Sequence, residues 1–333
     1  MSRIEYCRKN GVKKLQQTLI NEINTMLEDF VIEADTLYVT GNTTMLHLFF
    51  GADCSSMGVA PYTPVFLGEK SEKAESLGIS RVQTVASLPS IAAFVGADIT
   101  AGLNLLKIPE HGKYSILIDL GTNAEIVLFS EESFLCTAAA AGPCFEGANI
   151  SCGMSAVPGA VYSYEKNNIK TIGAAPIKGV CGTGLIDIVA FLLKKGILDE
   201  TGYMENDFEI ADGITLTKND IRQYQLAKSA IYSALLTLMN TKDVTFNDIE
   251  ELYISGGFSE KINIENAVIT GLIPEELKDK CKAINNSSLH GAVKYSFEKN
   301  SLNEICTKSK YIDLSANPFF SELFIENIMF GSN

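Results

Sequence analysis

The order of hydrophobic and polar positions along the chain predicts helices and strands in alternation. Residues 12–30 place leucine, isoleucine and methionine at intervals of three and four, which indicates an amphipathic helix with one packing face. Residues 116–118 and 126–129 are apolar, largely β-branched runs on either side of a short polar turn. This pattern is typical of buried strands joined as a hairpin, so the chain reads as an α/β protein.

A strand, a glycine turn and a helix recur several times. The predicted corners of this kind cover residues 37–50, 91–102, 252–259 and 281–292. Long helices are predicted over residues 182–193 and 217–240, a loop or hairpin over 196–216, and an irregular segment over 51–90. Corners of this kind present free backbone amides beyond the strand ends, where ligands commonly bind in α/β proteins.

The hairpin turn carries the residues with the clearest chemical potential. Gly121 allows a tight turn, and the amides around Thr122 and Asn123 can form an anion-binding concavity. Asp119, at the end of the first strand, can hold Mg²⁺ or a water molecule beside a bound phosphate. Taken by itself, the turn is also explained by a structural hairpin whose aspartate only bonds the loop. The helix that opens at residues 182–184 is a second candidate anion site, through its free amides and dipole.

Composition limits the partners and the compartment. The chain has 333 residues, and 40 acidic against 27 basic ones give a net charge of −13. That balance argues against a nucleic-acid partner and is compatible with a basic or neutral protein partner. No apolar run is long enough to span a membrane and the first ten residues have no apolar signal core, so a cytoplasmic location is expected.

The cysteines and histidines offer no metal motif. The eight cysteines include no C-x-x-C pair, and the three histidines are scattered along the chain. The sequence therefore contains neither a zinc motif nor a ferredoxin-type iron–sulfur motif. Small buried apolar residues are the simplest role for these cysteines.

The two halves of the chain repeat the same kinds of elements in the same order. Each half has a long helix, a glycine corner, an excursion and a second corner. This doubling predicts two similar α/β domains, residues 1–112 and 113–333, with their glycine turns around one cleft. The first half has no counterpart of the Asp119 hairpin, so the first domain is expected to be incomplete at its N-terminus.

These motifs together resemble a known superfamily. The Asp-x-Gly-Thr hairpin within a doubled α/β chain is similar to the ASKHA superfamily of acetate and sugar kinases, heat-shock ATPases and actin. More closely, the chain resembles the ATPase-like C-terminal region of reductive activators of corrinoid proteins, over its length from Ser2 onward. The matching stretches are residues 41–47, 95–98, 118–125, 142–154, 182–187 and 254–258.

The resemblance implies a fold, a ligand and a function. It implies two actin-like, ribonuclease-H-like domains facing a nucleotide cleft, and an ATP-driven step that helps return a Co(II) corrinoid to Co(I). It also implies ATP and Mg²⁺ as ligands, with Asp119 as the catalytic and metal-holding residue. The residues implied to bind the nucleotide are Gly121, Thr122, Asn123, Gly182, Thr183, Gly184, Ser255, Gly256 and Gly257.

The resemblance also implies partners and leaves alternatives open. The partner is a corrinoid iron–sulfur protein, the electron source is a separate iron–sulfur protein, and a homodimer is compatible with the family. This chain departs from the family in lacking the N-terminal iron–sulfur domain and the first phosphate hairpin, and in carrying Asn285 where a glycine is expected. The departures leave open a non-catalytic ASKHA-fold binding module or a truncated paralogue that has lost turnover. A small-molecule kinase of the same superfamily is a weaker alternative.

Overall fold

The computed structural model describes residues 2–30, 34–166, 168–211, 213–257, 259–299 and 301–331. Within these ranges the α-helices are α1 (Ser2–Asn10), α2 (Lys13–Asp29), α3 (Thr43–Phe49), α4 (Ala74–Leu77), α5 (Ala97–Leu105), α6 (Gly182–Lys194), α7 (Lys218–Thr241), α8 (Ile264–Ile269), α9 (Ser287–Phe297), α10 (Ser301–Lys308) and α11 (Pro318–Glu326). The strands are β1 (Ala34–Val39), β2 (Lys70–Lys73), β3 (Val82–Ser87), β4 (Tyr114–Leu120), β5 (Ala124–Phe129), β6 (Phe134–Ala139), β7 (Ala160–Glu165), β8 (Asn168–Thr171), β9 (Gly179–Val180), β10 (Phe208–Ala211), β11 (Ile214–Leu216), β12 (Ile249–Ser255), β13 (Cys281–Ala283) and β14 (Ser309–Tyr311).

The chain divides into two compact units. The first comprises Met1–Lys107 with Ser287–Tyr311, and the second comprises Ile108–Asn286 with Ile312–Asn333. The break after Lys107 lies close to the predicted domain boundary, whereas the segment that contains α9 and α10 groups with the first unit. Sequence patterns do not reveal such a return, because it depends on contacts between segments far apart in the chain.

The first unit is built on a three-stranded sheet in the order β1-β3-β2. β1 and β3 run parallel, and β2 is antiparallel to β3. A core of apolar side chains, among them Ile20 of α2, Phe49 of α3 and Val85 of β3, packs the helices against this sheet. Helix α3 begins after Asn42, whose side chain accepts a hydrogen bond from the Met45 amide. Asn42 therefore caps this helix, a role that asparagine fills well.

Two predictions about the first unit were wrong. The segment predicted to be irregular, residues 51–90, contains β2, α4 and β3. The strand predicted at residues 91–95 is a turn, in which Ala92 and Val95 form only an isolated bridge. The amides of Ile91 and Ala92 both donate to the Val95 carbonyl, so the chain folds back on itself here. The helix predicted to follow this turn is present as α5.

The second unit is built on a sheet that contains the strands β13-β12-β4-β5-β6 in that order. β4, β5 and β6 form consecutive antiparallel pairs, and β12 runs parallel to both β4 and β13. The side chains of Ile116, Ile126 and Leu128 are completely buried. The apolar runs on which the hairpin prediction rested are therefore the centre of the core, as parallel and central strands require.

The long helix of the second unit, α7, is bounded by a recognisable start signal. The Thr217 side chain accepts a hydrogen bond from the Asp220 amide, and the Asp220 carboxylate accepts one from the Thr217 amide. This reciprocal capping box satisfies amides that the first turn of a helix otherwise leaves unbonded. Helix α11 packs against α7. The predicted hairpin between α6 and α7 is present as β10 and β11.

Candidate functional site

The hairpin turn lies at the carboxyl end of β4. β4 and β5 pair in register up to Leu120 opposite Ala124, and the turn between them is closed by a hydrogen bond of 2.9 Å from the Gly121 amide to the Asn123 carbonyl. Thr122 and Asn123 are exposed. The turn therefore offers polar groups to solvent at the end of a buried strand, as the sequence predicted.

Asp119 meets Ser255 at the ends of two neighbouring parallel strands. The register pairs these residues, and the Ser255 hydroxyl donates to Asp119 Oδ2 over 2.5 Å. Burial raises the pKa of the Asp119 carboxyl, and the smaller effect of the Ser255 hydrogen bond lowers it. A desolvated carboxylate of this kind favours a bound cation or a bound proton, because either one compensates for the lost hydration.

Gly256 follows Ser255 and can only be glycine. Its φ is +114°, and a Cβ at this position would lie 2.3 Å from the Leu120 carbonyl oxygen. Because glycine alone adopts this backbone without strain, it brings the loop after β12 against the end of β4. Gly257, in contrast, has no heavy atom within 4 Å of where a Cβ would stand. Phe258, the last residue of this predicted motif, lies outside the described residues.

Sequence reasoning missed the part played by Glu146. This residue ends a 3-10 turn, Pro143–Glu146, and its carboxylate Oε2 accepts a hydrogen bond of 2.5 Å from the Thr122 hydroxyl. A second carboxylate therefore stands beside the hairpin turn. The one available signal was its place in the glycine-rich stretch 142–154, where polar groups alternate with glycine.

The residues at the start of α6 have a clear packing role. Gly182, Thr183 and Gly184 are all buried. A Cβ on Gly182 would lie 2.3 Å from the Phe145 carbonyl oxygen, and one on Gly184 would lie 2.1 Å from that of Val161. The Thr183 hydroxyl donates to the Tyr162 carbonyl over 2.8 Å. Close packing thus accounts for the small residues here, and the nucleotide role predicted for them stays a prediction.

The second unit also contains a cavity of about 530 Å³ between α6, β7 and α8. At its wall the Asp187 carboxylate accepts hydrogen bonds from Asn266 Nδ2 and the Tyr164 amide, at 2.7 and 3.1 Å. Burial raises the pKa of Asp187, and these hydrogen bonds oppose the effect. None of the predicted site residues lines this cavity. The polar network there joins three elements and has its hydrogen bonds satisfied.

The described residues limit the kind of metal site that this chain can form. Within them, no three His, Cys, Asp or Glu side chains are grouped so that they could hold a metal ion. Asp119 offers a single carboxylate, which is the usual protein share of a Mg²⁺ site completed by substrate phosphates and water. The donor set therefore fits Mg²⁺ delivered with a phosphate ligand.

The sheet carries a polar hairpin turn at the end of β4, and the neighbouring parallel strand β12 is followed by Gly256 and Gly257. This arrangement is typical of α/β proteins of the ASKHA type. Residues 113–333 match the family of the C-terminal ASKHA domain of RACo, and residues 1–111 match the RACo middle region. The chain therefore belongs to the RACo family. The prediction of an ASKHA-type fold and the resemblance to reductive activators are both confirmed.

Two curated relatives carry functional names. The chain is 30% identical to the corrinoid activation enzyme RamQ of Eubacterium limosum, covering all of this chain and 64% of that protein. It is 26% identical to the [Co(II) methylated amine-specific corrinoid protein] reductase of Methanosarcina barkeri, covering 94% of this chain and 65% of that protein. The chain thus spans about two thirds of the length of each relative.

A solved structure supports the fold. The chain is similar to a reductive activator for corrinoid, iron–sulfur protein, with a TM-score of 0.87 and 31% sequence identity, over 99% of this chain and 59% of that one. Among the described residues, no helix combines the length and the apolar character that crossing a membrane requires.

Proposed function

We propose that this chain is the nucleotide-dependent part of a reductive activator that helps return a corrinoid protein from Co(II) to Co(I). The observation that carries the proposal is the hydrogen bond between Asp119 and Ser255, beside the loop that Gly256 brings against the end of β4, in a chain of the RACo family. The names of the relatives agree, since one is a corrinoid activation enzyme and another a reductase of a Co(II) corrinoid protein.

The residues at the strand ends have distinct roles in this proposal. Thr122 and Asn123, which are exposed residues, bind phosphate through their amides and side chains. Gly256 and Gly257 let the backbone approach the nucleoside. Asp119 binds Mg²⁺ or orients a water molecule, with its carboxylate positioned by Ser255. Bound Mg²⁺ would neutralise phosphate charge beside the Asp119 carboxylate. The segment 182–184 supports the nucleotide from the start of α6.

In this proposal, the reduction of the corrinoid needs a source of electrons. Reduction of Co(II) to Co(I) takes one electron, and the sequence contains no ferredoxin-type cysteine motif. In this proposal an iron–sulfur centre supplies the electron, and the corrinoid protein receives it. Nucleotide binding contributes by favouring one arrangement of the activator over another, which requires a difference in nucleotide affinity between the two.

A non-catalytic binding module is the second candidate. It is favoured by the hydrogen bonds that join Asp119 to Ser255 and Thr122 to Glu146, because they already occupy these side chains within the protein. In this alternative the second unit binds nucleotide or a partner protein without turnover. The two candidates differ in one measurable respect, which is the release of phosphate from bound ATP.

Calorimetric titration of the purified chain with ATP and with ADP, in the presence and absence of Mg²⁺, tests the proposal. We expect saturable binding that Mg²⁺ strengthens and that Asp119→Asn weakens. The matched control is Asp313→Asn, an exposed aspartate of the second unit that bonds Ser315 and should leave binding unchanged. Absence of binding by a folded wild-type chain, or equal binding by Asp119→Asn, would contradict the nucleotide site.

The redox role is tested separately. The chain is mixed with a Co(II) corrinoid protein, a reduced ferredoxin-type protein and ATP, and Co(I) is followed by its visible absorption. Nucleotide-dependent appearance of Co(I) is the expected result. Nucleotide binding without phosphate release and without Co(I) formation would support the binding module instead.

A further inference from the structure

The turn between β4 and β5 has one side-chain hydroxyl, and a carboxylate from another segment holds it. The Thr122 hydroxyl donates to Glu146 Oε2 over 2.5 Å, and the two residues are 24 positions apart in the chain. The other carboxylate oxygen, Oε1, lies 3.9 Å from the point where a Cβ on Gly121 would stand. Both oxygens of Glu146 therefore lie beside the turn. A hydrogen bond to a charged acceptor of this kind is stronger than one between neutral groups.

This contact resembles the one that a bound phosphate would make. Carboxylate and phosphate oxygens are both anionic acceptors, and hydroxyl and amide donors bind either of them. Glu146 therefore occupies, with a group of this chain, a donor that the proposed function assigns to the nucleotide. A phosphate that uses the Thr122 hydroxyl has to displace the carboxylate first.

The packing of the neighbouring residues fixes the backbone that carries Glu146. The side chains of Cys144 and Phe145, which precede it in the 3-10 turn, are buried. Gly147, which follows it, has a φ of +84°, a conformation that favours glycine. Glu146 itself is exposed. Its side chain can therefore rotate away from Thr122 into solvent while the backbone of the turn stays in place.

No basic side chain from the adjoining segments explains the position of this carboxylate. Residues 114–129, 142–154 and 249–257, which contact one another around the turn, contain no lysine, arginine or histidine. Among the described residues, none of the ion pairs includes Glu146. The same segments carry Asp119 and Glu125 in addition. Glu146 is therefore held at the turn by hydrogen bonding, and a small free anion that reaches the turn meets negative charge.

We propose that Glu146 is a specificity-determining residue of the nucleotide site, an inference that rests on the proposed function. Its carboxylate holds the Thr122 hydroxyl in the ligand-free chain, and a phosphate group of the nucleotide displaces it. Because the carboxylate is tethered beside the turn, it raises the dissociation constant of every ligand that needs this hydroxyl by the same factor. A nucleotide has further contacts and still binds, whereas inorganic phosphate, with contacts at the turn alone, is excluded.

Calorimetric titration with ATP and Mg²⁺ measures this competition. Glu146→Ala should lower the ATP dissociation constant by about tenfold, which is the effect of one charge-assisted hydrogen bond. The matched control is Glu132→Ala, which removes the same charge from the turn between β5 and β6, at the opposite end of β5. It should bind ATP as the wild type does. Both glutamates are exposed, so the circular dichroism spectra should stay native.

A second background shows whether Glu146 acts through Thr122. Thr122→Val removes the hydroxyl and keeps the shape of the side chain. In that background Glu146→Ala should change the ATP dissociation constant by less than about twofold, because the two groups are no longer joined. The full tenfold gain in the Thr122→Val background would show that Glu146 acts by its charge alone, and it would overturn the inference.

Inorganic phosphate tests the selectivity. Added at millimolar concentration, it should leave the ATP dissociation constant of the wild type unchanged. In Glu146→Ala it should raise that constant, because phosphate then competes for the free hydroxyl. Equal competition by phosphate in the two proteins would contradict the proposed role.

Two further results would also overturn the inference. Weaker ATP binding by Glu146→Ala would show that the carboxylate assists the bound cation, and unchanged binding would show that its contact with Thr122 has no effect on the ligand. Both results leave the nucleotide site itself intact. Absence of ATP binding by the folded wild type and by Glu146→Ala alike would instead contradict the proposed function, and this inference with it.

Discussion

Lys228 of α7 is a buried lysine whose charge should limit the stability of the second unit. Its side chain is completely buried, and Nζ donates a hydrogen bond of 2.5 Å to the Met329 carbonyl. Nζ also lies 5.6 Å from the centroid of the Phe330 ring. Burial disfavours the charged form and lowers the pKa of Lys228 from 10.5 to about 8. The perturbation is Lys228→Met, which removes the charge and keeps most of the length.

The expected magnitude follows from that pKa difference. A lysine with a pKa of about 8 when folded and 10.5 when unfolded costs the folded state about 3 kcal/mol where it is charged in both states. The cost is fully present below pH 8 and disappears as the pH rises to 10.5, since the unfolded state binds more protons in that range. The stability of the wild type relative to Lys228→Met should therefore rise by about 3 kcal/mol between pH 7 and pH 10.5.

The quantity to compare is the difference in the free energy of unfolding between wild type and Lys228→Met at each pH. Burial raises the pKa of several thiols, those of Cys136 and Cys144 to about 12, so both proteins lose stability at high pH for a separate reason. Urea unfolding followed by circular dichroism at a series of pH values gives the free energy of unfolding of each. Lys242→Met, at an exposed position just after α7, is the control. An identical pH dependence in wild type and Lys228→Met would refute the reasoning.

Three further predictions concern other single residues. His47 is buried as a neutral ring whose Nε2 accepts a hydrogen bond from the Val65 amide, and burial lowers its pKa. The free energy of unfolding should therefore fall as the pH drops through 6.5, where the unfolded state gains a proton. Urea unfolding at pH 7 and pH 5 should show a smaller fall of this free energy in His47→Gln than in the wild type. A Cβ on Gly291 would lie 1.8 Å from the Ala101 carbonyl oxygen, so Gly291→Ala should cost about 3 kcal/mol in the same assay, and a cost near zero would contradict this packing. Gly256→Ala should weaken ATP binding in calorimetry while the circular dichroism spectrum stays native, because the strained loop moves away from β4.

Local sequence pattern was a sound guide where the structure depends on near neighbours. The apolar runs of β4 and β5 and the turn between them are recognisable because strand period and turn chemistry are local properties. The same holds for the long helix α7, whose first turn carries its own capping residues. The strand predicted at residues 91–95 was wrong because a short apolar run carries no information about its pairing partner.

The candidate site also contains some features that the local sequence reveals and others that only the fold reveals. The residue types of Asp119, Thr122 and Asn123 and their place after an apolar strand can be read from the sequence. The hydrogen bond from Ser255, more than a hundred residues away, and the approach of Glu146 to Thr122 depend on the pairing of β4 with β12 and on the course of the connecting chain. Apart from its place in the glycine-rich stretch 142–154, no local signal distinguishes Glu146 from other exposed glutamates.

The sequence by itself determined the α/β class, the strand–turn–helix corners and the type of chemistry available at the hairpin turn. Only the tertiary structure decided which glycines pack against backbone, as Gly184 does, which charge is buried, as at Lys228, and which distant strands lie side by side, as β4 and β12 do. The physical reason is the distance along the chain over which each effect acts. Propensity and periodicity arise within a few residues, whereas burial, desolvation and strand pairing arise from segments that the fold brings together from far apart in the chain.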